Sequence, residues 1–358
     1  MEVVAWIGFS QALFSGILTL SKNEKSISDR LLTAWLFMLA LEFLTFGLES
    51  KIFPNFLLLT NSFLLFNPAL YLYTRSLTDP AFRLKWSQLL HLTPYFFFKI
   101  LAWIIEEPQT FETFFLPNST LWFRIIFTIL GIVSWAVYLT LSGNMVREHR
   151  KKIMNEFSTI DTYKKIGWIL FIIVFFILYC FTVFVWGVFN LFYFDSLSLS
   201  IFNYSVLLIF IYVLGFYGLQ QKQLYKRESI DENSIKLQTS FLSDMIKDRI
   251  RKKVIQYFEK EQPYINPELN MTLLSENLKI PKHHLTEVLN GTIGKNFFQF
   301  VNEYRIEAVK QKLSNPKNLY SIEAIGYECG FNSKSTFFSV FKNITGMTPA
   351  AYKKTLNL

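Results

Sequence analysis

Hydrophobic and polar positions divide the chain at Gln220. Before it come seven stretches that are apolar on every side, at about 3–20, 31–48, 56–72, 89–105, 121–141, 166–189 and 199–219. A bilayer core of roughly 30 Å takes about 20 such residues in a helix that rises about 1.5 Å per residue. The stretches show no alternation of period two, so they predict membrane-spanning helices rather than barrel strands. After Gln220 the pattern is polar, with apolar residues at helical spacing. The expected fold class is all-α, with a seven-helix transmembrane bundle over 1–219, a juxtamembrane linker over 220–240 and a soluble all-helical domain over 241–358.

The soluble part has its own order. Phe241, Leu242, Met245, Ile246, Ile250, Val254 and Phe258 form one face of an amphipathic helix that stops at Gln262-Pro263. At 272–290 the sequence TLLSENLKIPKHHLTEVLN predicts a short helix, a tight turn at Ile280 and a second helix opened by Pro281, whose missing N–H costs nothing there. A second helix-turn-helix lies at 321–342, SIEAIGYECGFNSKSTFFSVFK. Its first helix is capped by Ser321, its turn is made by Gly330, and its second helix is capped by Asn332 or Ser333. The apolar series Leu274, Ile280, Leu285, Leu289 returns as Ile325, Phe331, Phe337, Phe341, with one extra residue in the second turn. Between the copies a connecting helix of roughly 17 residues, about 26 Å long, spaces two recognition helices for successive major-groove turns, about 34 Å apart.

Composition supports the division. Hydrophobic residues make up 51% of the 358 and charged ones only 18%, where a globular domain carries about a quarter. A soluble protein would lack the polar surface to cover seven such helices. Two cysteines, Cys180 and Cys329, make no disulfide scaffold. Basic residues orient the spans, because they are retained on the cytoplasmic side. Lys22, Lys25 and Arg30, then Arg75, Arg83 and Lys85, then Arg147, Arg150, Lys151, Lys152, Lys164 and Lys165 fall in alternate loops. The N-terminus is therefore expected outside, as a retained anchor, and the soluble domain inside a plasma (inner) membrane. From Gln220 onward there are 21 Lys and Arg against 14 Asp and Glu, a surplus that suits an anionic partner.

Polar groups within a span are costly and point to function. Glu42, Asn61 and Lys99 all fall roughly 8 to 10 Å from the outer ends of their helices, so Glu42 and Lys99 are expected to pair and to line an outward ligand pocket with Asn61. The plainer alternative is that Lys99 snorkels to the interface while Glu42 packs neutral. The last span has no lysine for a retinal-type Schiff base, and no His, Asp or Cys cluster at metal-ligand spacing marks a membrane enzyme. His283 and His284 are adjacent and have no third ligand nearby, so no metal and no cofactor are expected.

The C-terminal third resembles the AraC/XylS-type DNA-binding domain. The resemblance rests on Asn302 to Ala308 (NEYRIEA), Ile322 with Ile325, Gly330-Phe331, Phe337, Phe341-Lys342 and the closing GMTPAAYKK from Gly346. Gly326 departs from the family's usual Ala. The whole chain resembles bacterial membrane-tethered, seven-span regulators of this type. The resemblance implies a non-enzymatic transcriptional regulator. His283, Thr286 and Glu287 of the first recognition helix, and Lys334, Ser335, Thr336 and Ser339 of the second, would face bases. Lys334 suits guanine and Glu287 suits cytosine. Lys282, Lys295, Lys342, Lys353 and Lys354 suit phosphates. Expected partners are double-stranded promoter DNA and the lipid bilayer, with RNA polymerase, an unknown small ligand and a second copy of the chain (a homodimer) as further ones. The rival reading is a transporter or enzyme whose basic tail is regulatory. A sensor kinase is disfavoured, since the tail has neither a phosphoacceptor-histidine helix nor a glycine-rich nucleotide lid.

Overall fold

The computed structural model describes residues 2–49, 63–79, 81–105, 121–159, 168–182, 185, 196–220, 242–315, 317 and 319–356. Among these residues the fold is all-α, the one extended pairing being an isolated bridge between Phe157 and Asn270. The chain forms two compact units: residues 1–147 with 168–228, and residues 148–167 with 229–358.

The first unit holds α1 (Glu2–Leu20), α2 (Ile27–Glu49), α3 (Phe63–Thr78), a 3-10 turn (Trp86–Leu92), α4 (Thr93–Ile104), most of α5 (Leu121–Glu156), α6 (Trp168–Thr182) and α7 (Ser196–Gln220). Each of the seven apolar stretches thus contains a helix. Of these, α1, α2, α5 and α7 are long and apolar enough to cross a membrane, and α6 is a shorter apolar helix. Expected boundaries shift by a few residues at several helices, α2 starting at Ile27 and α3 running on to Thr78. The fourth helix starts at Thr93 rather than residue 89, because Pro94 lacks an N–H and fits only a first helical turn. The fifth does not stop at residue 141 but runs to Glu156, through a segment free of Pro that continues the helix in polar residues.

Small residues let the first helices approach one another. Ala5, Gly8, Ala12, Ser15, Gly16 and Thr19 form the buried stripe of α1, the small-residue pattern by which helix backbones close up in lipid. A Cβ at Gly8 would stand 2.1 Å from the Phe43 ring, and one at Gly16 would stand 2.6 Å from Phe37. By contrast α5 exposes Ile125, Ile126, Ile129, Leu130, Ile132, Val133, Val137 and Leu141. A contiguous apolar face of this kind marks a membrane or partner contact. At the other end of α1, Lys22 pairs with Asp29 at 2.7 Å and donates to the Gly218 carbonyl at 2.6 Å, so a cation caps the C-terminal end of α7.

The second unit is built on one shared helix. Its elements are α8 (Asp244–Glu261), α9 (Met271–Leu278), α10 (Lys282–Glu287) continued by a π turn to Ile293, α11 (Phe297–Leu313), α12 (Ile322–Glu328), α13 (Lys334–Thr345) and α14 (Pro349–Thr355). The first half of α11 buries Phe297, Phe300 and Val301 among Val254, Phe258, Leu274, Leu285 and Leu289. Its second half buries Ile306, Val309 and Leu313 among Ile325, Phe331, Phe337 and Phe341. Two small cores therefore meet on a 17-residue helix, as the connecting-helix reading expects. Polar caps fix the starts: Asn270 accepts from Leu273 N–H, Ser321 from Ala324 N–H, and Asn296 forms a capping box with Gln299. Residues 148–159 also belong to this unit, which the hydrophobic pattern gave no sign of.

Candidate nucleic-acid interface

The first helix-turn-helix is α9, a tight turn and α10. The turn needs one left-handed residue, and Lys279 supplies it at φ 53°. Ser275 Oγ donates to the Ile280 carbonyl at 2.6 Å and holds the turn closed. Pro281 stands just before α10, and its carbonyl accepts the helix's first backbone bonds from His284 and Leu285. Leu285, Val288 and Leu289 point into the core. Lys282, His283 and Asn290 are exposed, with Thr286 and Glu287 half-buried beside them. Glu287 pairs with Lys247 of α8 at 3.1 Å. The rings of His283 and His284 meet edge to face at 4.1 Å, and burial lowers the His284 pKa, helped by His283.

The second helix-turn-helix is α12, a turn at Gly330 and α13. Gly330 has φ 90°, and a Cβ there would meet the Tyr264 carbonyl at 2.3 Å, so both backbone conformation and space demand glycine. The Gly326 departure also has a cause, since a Cβ would stand 2.6 Å from the Phe337 ring, which fills that space. Ser333, rather than Asn332, caps α13. Lys334, Ser335 and Ser339 are exposed. Thr336 corrects an expectation. It is 3% exposed rather than on the open face, because its hydroxyl accepts from Ser333 Oγ at 2.8 Å and its N–H donates back to that oxygen. Lys334 is 60% exposed and lies 2.9 Å from Glu323 of α12. That bond raises the lysine's pKa and lowers the glutamate's.

Of the residues assigned to phosphates, Lys282, Lys342 and Lys354 are exposed and Lys353 is half-buried. Lys295 is ion-paired with Glu303. In the first unit Glu42 is buried and accepts from the Tyr204 hydroxyl at 3.4 Å, while the Lys99 ammonium lies 5.8 Å from the centre of the Tyr95 ring. Asn61 lies outside the described residues. Among the described residues no group of three His, Cys, Asp or Glu is placed to hold a metal. Cys329 is a core residue whose thiol burial pushes up to about 11.

One cluster escaped the sequence reading. Arg305 of α11 is fully buried, and its guanidinium donates to the carbonyls of Tyr264 at 2.8 Å and Asn266 at 3.0 Å. It also donates to the Ser158 carbonyl at 3.0 Å and to Ser158 Oγ at 3.2 Å. Asn302 donates to the same carbonyl at 3.1 Å, and Ser158 Oγ donates to the Leu269 carbonyl at 2.5 Å. Burial lowers the Arg305 pKa to about 10. The NEYRIEA motif thus binds residues that stand some 145 positions earlier, a link that no spacing signal announces.

Comparison with known proteins agrees with this architecture. Residues 274–355 match the model of a family described as Helix-turn-helix domain. An uncharacterised HTH-type transcriptional regulator of Staphylococcus aureus is 31% identical over 101 residues, 28% of this chain and 13% of that protein. Another of Bacillus subtilis, YdeC, is 25% identical over 112 residues, 31% of this chain and 37% of that protein. The chain therefore spans well under half the length of these relatives, and no solved structure gives a significant match. With two matching helical cores on a shared α11, a glycine-dependent second turn and this family match, the C-terminal part of the chain is a helix-turn-helix domain of the AraC type.

Proposed function

We propose that the chain is a membrane-anchored, one-component transcriptional regulator that binds promoter DNA through α10 and α13. The observation that carries this reading is the duplication: two helix-turn-helix cores sharing α11, in a chain whose described residues also include four helices long and apolar enough to cross a bilayer. Such a pair reads two groove segments on one face of a duplex. Lys334, presented at the start of α13, exchanges Glu323 for a guanine edge, while Lys342 and Lys354 meet phosphates. The apolar helices anchor the chain and supply the sensing part.

The test is duplex binding by the full chain in lipid nanodiscs, titrated against salt. Affinity falls steeply as salt rises, because bound lysines release counterions. Lys354→Ala weakens all sequences alike, whereas Lys334→Ala relaxes preference at one base pair at a cost of about 1–3 kcal/mol. Binding that ignores both salt and these substitutions would refute the reading.

A further inference from the structure

The last turns of α5 and the residues after them run along the second unit as a strap. Asn155 Oδ1 accepts from Asn290 Nδ2 at 3.3 Å, next to the first recognition helix. Met154 Sδ accepts a long contact from Asn296, the cap of α11, at 3.9 Å. Phe157 forms a bridge with Asn270, the cap of α9. Ser158 then enters the domain, 1% exposed, and is held by Arg305, Asn302 and Leu269 as described.

The strap bounds an open cleft of about 710 Å³ within this unit. Its lining combines Lys152, Asn155 and Glu156 of the strap with Lys282, His283, Thr286, Glu287 and Asn290 of α10 and its π turn. Lys282, His283, Thr286 and Glu287 occupy positions i, i+1, i+4 and i+5 of the first recognition helix and are the residues assigned there to phosphates and bases, while Asn290 follows in the π turn. A major groove about 12 Å wide admits one helix of about 10–12 Å with its side chains. It has no room for a second helix lying across a side-chain-lined cleft from the first. The charges inside the cleft are Lys152 and Lys282 against Glu156 and Glu287, a balanced set rather than a phosphate site.

We propose that residues 148–159 are an autoinhibitory strap: docked through Ser158 on Arg305 and Asn302, they keep the first recognition helix out of the groove, and their release licenses DNA binding. This rests on the DNA-binding reading above. Because the strap is the continuous end of α5, a shift of that helix is the input that lifts it. The strap closes over α10, and none of the α13 positions assigned to bases lines the cleft, so the closed form retains part of its duplex contact.

The test uses the full chain in nanodiscs carrying Asn155→Cys and Asn290→Cys, joined by a short bis-methanethiosulfonate linker that a reductant cleaves. The native Cys180 and Cys329 are both buried. Affinity is measured for a mixed-sequence DNA duplex at low salt, before and after reduction of the same sample. Linked chain should bind about tenfold more weakly than reduced chain, as when the competent form falls to about a tenth of the population, and reduction should restore binding. Equal affinity of the linked and reduced forms, or failure of the linker to join the two positions, overturns the strap while leaving the DNA-binding reading intact. Reduced chain that ignores the duplex overturns both.

Discussion

Gly326 and Phe337 form a pair in which one residue's absence makes room for the other's ring. A Cβ at Gly326 would press on that ring from 2.6 Å, so Gly326→Ala overpacks the second core at a cost of about 1–3 kcal/mol. Phe337→Leu in the same chain recovers much of this loss, and chemical denaturation of the four members of the cycle measures the coupling. His284 gives a second residue-scale prediction. Burial holds its folded pKa below the ordinary value of 6.5, so the unfolded chain takes up the proton more readily. Its contribution to stability is present above that value and is lost as pH falls through it. Thermal denaturation of His284→Gln should therefore lose less between neutral and mildly acidic pH than the parent chain. The apolar repeat made most core residues readable, since Leu274, Leu285, Leu289, Ile325, Phe337 and Phe341 are all buried. Thr336 was not readable, because a hydroxyl that accepts from the cap Ser333 and one that reads a base look the same in a sequence.

At the scale of elements, α1 shows how tightly the first unit is drawn together. Gly8→Leu drives a side chain into Phe43, and only movement of α1 away from α2 relieves it. The variant should accumulate poorly and lose heat resistance in detergent, whereas Gly131→Leu on α5, where nothing lies within 4 Å of a Cβ, should behave as the parent does. Equal behaviour of the two would refute the small-residue packing. Helix existence was legible here because composition alone sets it, and the C-terminal helices were legible from caps such as Ser321. The ends of α4 and α5 were not, for different reasons. Pro94 restricts a start that hydropathy averages over, and the polar end of α5 carries no long apolar run, its Asn155 and Met154 meeting Asn290 and Asn296 instead. Arg305 is the clearest case: as a charged residue in a family motif it reads as a DNA ligand or a surface group, yet it is a buried donor to three backbone carbonyls and a hydroxyl.

For the whole molecule, one chain combines apolar helices long enough to cross a membrane with a helix-turn-helix domain. On the proposed function nothing diffuses between sensor and operator, so the regulator would search the chromosome from the membrane, and promoters would come to it. The most direct measurement is genomic occupancy of the tagged full-length chain, cross-linked in cells and recovered from membranes washed at alkaline pH. The account predicts that the chain stays in the washed membranes and brings down discrete promoter segments. Release of the chain by the wash, or recovered DNA no different from bulk genomic DNA, would contradict it.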